Sequence, residues 1–286
     1  MHLGIDLKLK MHSKECIRRA CIWLSRNPQT NSIIMKTTSI LIASLLTIGS
    51  AQATIIAQYD FDGADFGTNF TNPFASTDMN ISNQSGVGGL ANSSSTSQNA
   101  TYLWNGQSLG TTQDWVLSIS AGATQSLENQ ILSSGSGDEA SIGLLAAFTP
   151  GGGGFNALLF EFYIENDFPV RGIATTSLIG ASQTGAFASN TGLSAELRLS
   201  FKADTKMLEA LAPNGDVVQS VNVQTQWGMD DTSTFQFGIT GGVENINLPN
   251  SSSIWVDNLQ LETIPEPSSV MLLALSAVSF VLRRKR

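Results

Sequence analysis

Between Thr54 and Ile264 the chain has no cysteine and no histidine, and its only cations are Arg171, Arg198, Lys202 and Lys206. Each absence excludes some chemistry. Without histidine there is no Ser-His-Asp or Cys-His arrangement. Without histidine or cysteine the usual zinc and copper ligands are missing. Without cysteine no disulfide framework holds the fold. Four cations stand against 20 acids in this stretch, a net charge of −16, compared with −8 for the whole chain. So acidic a surface is a poor partner for a phosphate backbone, so nucleic acid is excluded as a ligand. What remains is carboxylate chemistry: hard-cation binding or hydrolysis by two carboxylates. Helical periodicity is also missing, since no long stretch repeats apolar residues every three to four positions.

Short apolar runs between turn residues take the place of helices. Ile55 to Phe61, Thr101 to Trp104, Trp115 to Ile119, Ser141 to Phe148 and Asn156 to Glu165 read as strands. Leu193 to Phe201 alternates cleanly, with Leu193, Ala195, Leu197, Leu199 and Phe201 on one face and Glu196, Arg198 and Ser200 on the other. Lys206 to Leu211 and Val217 to Val223 flank Pro213-Asn214-Gly215-Asp216, and Asn-Gly is a strong hairpin signal. Phe235 to Ile239 and Ile254 to Glu262 follow; the last places Trp255, Leu259 and Leu261 on one side. Residues 67–99 read as long loops with short edge strands, and Leu127 to Ser136 as loop or one helical turn. Gly151 to Gly154 lead into a strand with no lysine behind them, which argues against a phosphate cradle. The pattern predicts an all-β, two-sheet antiparallel sandwich.

The ends of the chain read differently. Met35-Lys36 opens a positively charged region, Ser39 to Ile48 is apolar, and Ala51-Gln52-Ala53 suits signal cleavage before Thr54. Residues 35–53 thus form a signal peptide, expected as a helix. Residues 1–34, with Cys16, Cys21, His2 and His12, form a basic leader that a signal peptide does not need. Translation is expected to start at Met35, the alternative being an unusually long basic region. At the other end, Pro265-Glu266-Pro267 precedes an apolar run, Val270 to Leu282, and the chain closes on Arg283, Arg284, Lys285 and Arg286. A spanning helix needs roughly 20 apolar residues. This run is shorter, and the terminal cations extend its reach by snorkelling and face inward. The expected organisation is a sandwich at 54–263 and a membrane-inserting tail with a transmembrane helix at 264–286.

That tail resembles the PEP-CTERM sorting signals of Gram-negative bacteria. The resemblance implies recognition by an exosortase, a membrane-embedded protease-transpeptidase. Delivery would follow, after transient residence in the inner membrane, to the cell surface or extracellular matrix. Within the body, Leu193 to Val223 resembles the concanavalin A-like and laminin-G sandwiches. Ile254-Trp255-Val256-Asp257-Asn258-Leu259 is similar to the last strand of carbohydrate-binding jelly rolls. These resemblances imply a jelly-roll or concanavalin A-like fold and a glycan ligand such as extracellular polysaccharide.

Three groups of residues are candidates for a site. Asp60, Asp62 and Asp65 end the first strand and Asp257 sits in the last. If those strands are neighbours, Asp60, Asp62 and Asp257 can share a calcium ion; otherwise they are solvated turn acids. Glu161 and Glu165 lie about 13 Å apart along one strand, too far to act together as glycosidase carboxylates. Glu139, Asp167 or Glu196 would have to supply a partner. Trp104, Trp115, Trp227 and Trp255, with Tyr102 and Tyr163, offer sugar-stacking faces. Trp227, in a polar loop, is the one expected to be exposed. The expectation is a non-catalytic, exported, glycan-binding protein. A carbohydrate-active enzyme or a ligand-free structural protein on the same sandwich are the alternatives.

Overall fold

The computed structural model describes residues 53–63, 65–72, 79–93, 97–134, 137–151, 155–166, 171–180, 182–189, 192–248 and 253–264. β1 (Thr54–Tyr59) leads to a single-turn helix α1 (Phe66–Asn69) and the short β2 (Phe70–Thr71). β3 (Met79–Gln84) and β4 (Val87–Asn92) form a hairpin, and β5 (Gln98–Gly110) and β6 (Asp114–Ala123) follow. A helix, α2 (Gln125–Ser133), precedes a meander of β7 (Glu139–Phe148), β8 (Asn156–Glu165), β9 (Arg171–Ile179) and β10 (Ser182–Ser189). A second meander runs through β11 (Ser194–Lys202), β12 (Met207–Leu211) and β13 (Val217–Asn222). The short α3 (Val223–Trp227), β14 (Thr234–Glu244) and β15 (Ile254–Ile264) complete the described chain.

These strands make two antiparallel sheets, as the alternation predicts. One has eight strands in the order β13-β12-β11-β6-β15-β4-β3, with β1 also against β15. The other has seven, β10-β9-β8-β7-β14-β5-β2. Their inner faces bury a single large core. Trp115 is at its centre, fully buried, with edge-to-face contacts to Phe235 and Phe237 at 4.9 and 4.8 Å. Near β1, Tyr59, Phe61, Phe66 and Phe70 form a second aromatic knot. The described residues all fall in one compact unit, within 51–268.

Several boundaries depart from the sequence pattern, each for a local reason. β1 stops at Tyr59 because Phe61 takes a positive φ of 58°, which swings its ring into the core and breaks the strand. Of loop or one helical turn the helical alternative holds, but residues 125–133 form a longer helix that starts earlier, since Thr124 Oγ1 accepts from the Leu127 amide as an N-cap. Within 67–99, β4 is an internal strand bonded to β15, not an edge. Trp255 does not share a side with Leu259 and Leu261. A bulge between Asp257 and Gln260, with Asn258 at φ 55°, flips the alternation, so Ile254 and Val256 point inward together with Leu259 and Leu261. Ile264 is the last residue of β15. The segment read as a signal peptide, up to Gln52, and the apolar run 270–282 lie outside the described residues. Among the described residues no helix is long and apolar enough to cross a membrane.

Candidate functional site

The outer face of the seven-stranded sheet carries a cluster of titratable side chains. Register alone places Glu244 opposite Glu139 and Glu139 opposite Glu165, three carboxylates side by side on β14, β7 and β8. Like charges directly opposite on neighbouring strands destabilise a sheet. Glu161 lies on the same face of β8, opposite Gly143. A Cβ at Gly143 would strike the Phe160 carbonyl oxygen and come within 2.6 Å of the Glu161 Cα, so only glycine lets β8 settle there. Burial pushes the Glu161 carboxyl up to about 7. The charge of Glu139 adds to the rise, and the Ser141 hydroxyl opposes it by donating to Glu161 Oε1 at 3.4 Å. Burial also raises Glu139, with Glu165 and Glu244 adding to it. Between these groups stands Tyr163, 2% exposed, whose phenol burial pushes up to about 12.

This arrangement narrows the partners expected for Glu161. Glu196 is on the opposite sheet and pairs with Arg198 at 2.7 Å, so it cannot serve. Asp167 lies outside the described residues. Glu139 is on the neighbouring strand and acts on Glu161 directly. Glu244 escaped the sequence reading. Its strand alternates visibly from Thr234, but nothing in the sequence says which strand it lies beside.

The four aspartates behave differently. β1 and β15 are neighbours, with Tyr59 opposite Leu259, so the first and last strands do meet. The charges of Asp62 and Asp60 reach Asp257 and, after burial, help to raise its carboxyl. Carboxylate oxygens of Asp60, Asp65 and Asp257 are nevertheless used locally. Asp257 Oδ1 accepts from the Asn258 amide at 2.7 Å and Oδ2 from the Asn258 side chain at 2.9 Å. Asp60 Oδ1 accepts from the Asp62 amide at 3.2 Å. Asp65 accepts from the Tyr59 hydroxyl at 2.9 Å and the Asn69 side chain at 2.7 Å. Among the described residues no group of three acids is arranged to hold a metal ion.

The tryptophan expectation is corrected. Trp227 is 3% exposed and packs edge-on to Phe235 at 6.4 Å, so it offers no face to a ligand. It ends α3, a short helix with Asn222 Oδ1 accepting from the Thr225 amide, and that turn carries the ring inward despite the polar sequence around it. Trp104 and Trp115 are buried as well. Among the described tryptophans, Trp255 alone is part-exposed. It lies on the outer face of the eight-stranded sheet, opposite Gly122 on β6 and Gly89 on β4. Its ring would meet a Cβ at Gly122 at 2.7 Å, so the indole covers that glycine.

Residues 263–286 match the PEP-CTERM protein-sorting motif. A segment of this kind marks a protein for export and for processing by an exosortase. Its first two residues, Thr263 and Ile264, are still hydrogen-bonded strand here, with Thr263 opposite Thr54 on β1. No curated protein matches the chain in sequence. Among solved structures, similar chains include the CBM2 module of the evolved Dit protein of Lactobacillus casei BL23 phage J-1. It is 9% identical over 76% of this chain and 99% of that one, with a TM-score of 0.47. The carbohydrate recognition domain of Emp46p is 10% identical over 69% and 88%, with a TM-score of 0.43. Metal-free lectin I-B4 of Griffonia simplicifolia is 13% identical over 72% and 98%, with a TM-score of 0.40. Each likeness is one of overall architecture.

Proposed function

We propose that the chain is an exported protein whose sandwich binds neutral extracellular polysaccharide without cleaving it, at the cell surface or in the surrounding matrix. Export rests on the sorting motif at 263–286. Binding rests on one observation, the composition of the outer face of the seven-stranded sheet. There Leu103, Phe155, Leu159 and Leu178 are only partly covered and pack on buried Leu145, Ala147 and Ala157. Hydroxyl, amide and carboxylate side chains stand beside this apolar strip. A sugar presents the matching pair of surfaces, C–H faces to rest on apolar groups and hydroxyls to bond polar ones. The body's net −16 disfavours an acidic polysaccharide.

A second reading is favoured by Glu161. A carboxyl held near 7 beside another carboxylate is the usual form of a general acid in glycoside hydrolysis. In that reading Glu161 is the proton donor and Glu139 the assisting carboxylate. A glycan-binding panel and a hydrolysis assay on the exported protein separate the two. Binding without turnover supports the first reading. Turnover abolished by Glu161→Gln supports the second. Neither binding nor turnover leaves a structural surface protein and ends both.

A further inference from the structure

β5 is irregular where it passes β14. Ser108 faces Gln236 and Leu103 faces Gly238, so four residues of β5, Trp104 to Gln107, stand opposite Phe237 alone. A single-residue bulge would be common; an excess of three residues opens the ladder and re-aims the side chains. Gly106 makes the excursion possible, with a φ of 73° that side chains rarely adopt, although a Cβ there would meet nothing within 4 Å. The other edge of β5 is tied down at the same level. Phe70 and Thr71 of β2 pair with Trp104 and Leu103, Thr71 Oγ1 bonds Asn105 Oδ1 at 3.0 Å, and the Asn105 side chain donates to the Thr68 carbonyl at 2.8 Å. The bulge is therefore fixed in shape.

The result is an open recess of about 250 Å³ on the sheet's outer face, lined chiefly by Leu103, Asn105, Gln107, Ser108 and Gln236. Three properties define what it can hold. No lining residue is charged, so neither an anion nor a cation finds a counter-ion there. Gln107 is part-exposed and Gln236 exposed, and each side-chain amide offers both a donor and an acceptor. Leu103 belongs to the apolar strip and gives the recess one dry side. At roughly 30 Å³ per water the space holds only several waters, enough for one small ring and too little for a larger ligand to be enclosed. We propose that this bulge is a binding subsite for one neutral sugar residue. Gln107 and Gln236 would bond its hydroxyls and Leu103 would lie under its C–H face. The proposal rests on the polysaccharide-binding reading and gives it a location.

The test uses the full chain in detergent micelles. Glutamine side chains are labelled with ¹⁵N, and the Gln107 and Gln236 amide signals are assigned by Gln107→Asn and Gln236→Asn. Glucose, galactose, mannose and dextran are the neutral probes, and alginate is the acidic one. The expected result is movement of those two signals with a neutral probe and not with alginate, together with at least a tenfold weaker affinity in a Gln107→Ala/Gln236→Ala double variant. A Gly106→Ala variant, which has room for the methyl but strains the backbone, should weaken binding without unfolding the chain. If a neutral probe binds while both signals stay still and the double variant binds normally, the subsite is wrong and the broader reading stands. If no probe binds, the broader reading falls and the subsite falls with it.

Discussion

The two outer faces of the sandwich differ in how many of their acids are paired with cations. On the eight-stranded sheet and its loops, three acids pair with cations: Glu196 with Arg198 at 2.7 Å, Glu209 with Lys202 at 3.2 Å, and Asp231 with Lys206 at 2.7 Å, while Asp257 feels the like charges of Asp60 and Asp62. On the seven-stranded sheet the strands offer a single cation, Arg171, and it is committed to buried Glu128 at 3.0 Å. Glu139, Glu165 and Glu244 are meanwhile aligned by register, with Glu161 close by. Three of the body's four cations thus pair with acids on or beside the eight-stranded sheet, and the fourth pairs with Glu128. A fold selected only for stability would distribute them the other way. The crowded face is therefore the better candidate for function, because strain kept at one place calls for a use there.

The sharpest way to break that comparison is to remove Glu161. Its carboxyl titrates near 4.5 when unfolded and about 7 when folded. A raised folded value favours the protonated form, so its contribution to stability is complete below about 4.5 and is lost as the pH climbs to 7. At about 1.4 kcal/mol per pH unit, the loss is on the order of 3 kcal/mol. Glu161→Gln should flatten the stability profile between pH 4.5 and 7 and make the chain more stable at pH 8. Denaturant titrations across that range test this. Parallel profiles for variant and parent would mean that the crowding costs nothing.

Trp255→Ala probes the opposite face. The indole is part-exposed and covers Gly122, so its loss should cost about 2 kcal/mol of packing and leave polysaccharide binding intact. Loss of binding with little loss of stability would reverse the assignment and move the site to the eight-stranded sheet.

Glu139→Gln is a smaller perturbation. Burial, not Glu139, is the larger cause of the Glu161 shift, so the variant should move the Glu161 midpoint downward without restoring its ordinary value. A carboxyl-detected NMR titration reads this directly. An unmoved midpoint would show that the two side chains do not sense each other.

Much of the fold was legible because its signals are local. Asn156 to Glu165 and Leu193 to Phe201 announce their inner faces by alternation. Asn214-Gly215 announces its hairpin, with Asn214 accepting from the Asp216 amide at 3.1 Å. The candidate site was legible only in part, because it depends on register between distant strands. Glu161 and Glu165 were visible on one face, yet Glu244 reaches Glu139 only through the pairing of β14 with β7, 105 positions apart. Bulges hid the rest. Asn258 reverses the side on which Trp255 lies, and Gly106 opens a recess just beyond Trp104, where the expected strand stops. Trp227 failed for another reason: polar neighbours suggest a wet loop, but an Asn222 cap can turn a single residue inward. The sorting motif was fully legible, since it is a property of sequence order at one end and needs no fold.

The gentlest test is Arg198→Ala. Both partners of the Arg198–Glu196 pair are about half exposed, at 50% and 49%, so water already screens them. An exposed pair of this kind contributes less than about 0.5 kcal/mol, and its removal should leave the melting point and polysaccharide binding within error. The same substitution makes the body still more acidic. A marked loss of binding to a neutral probe would therefore show that the cations of the eight-stranded sheet do more than balance their neighbours. The contrast between a neutralised face and a working face would then have to be redrawn around Arg198.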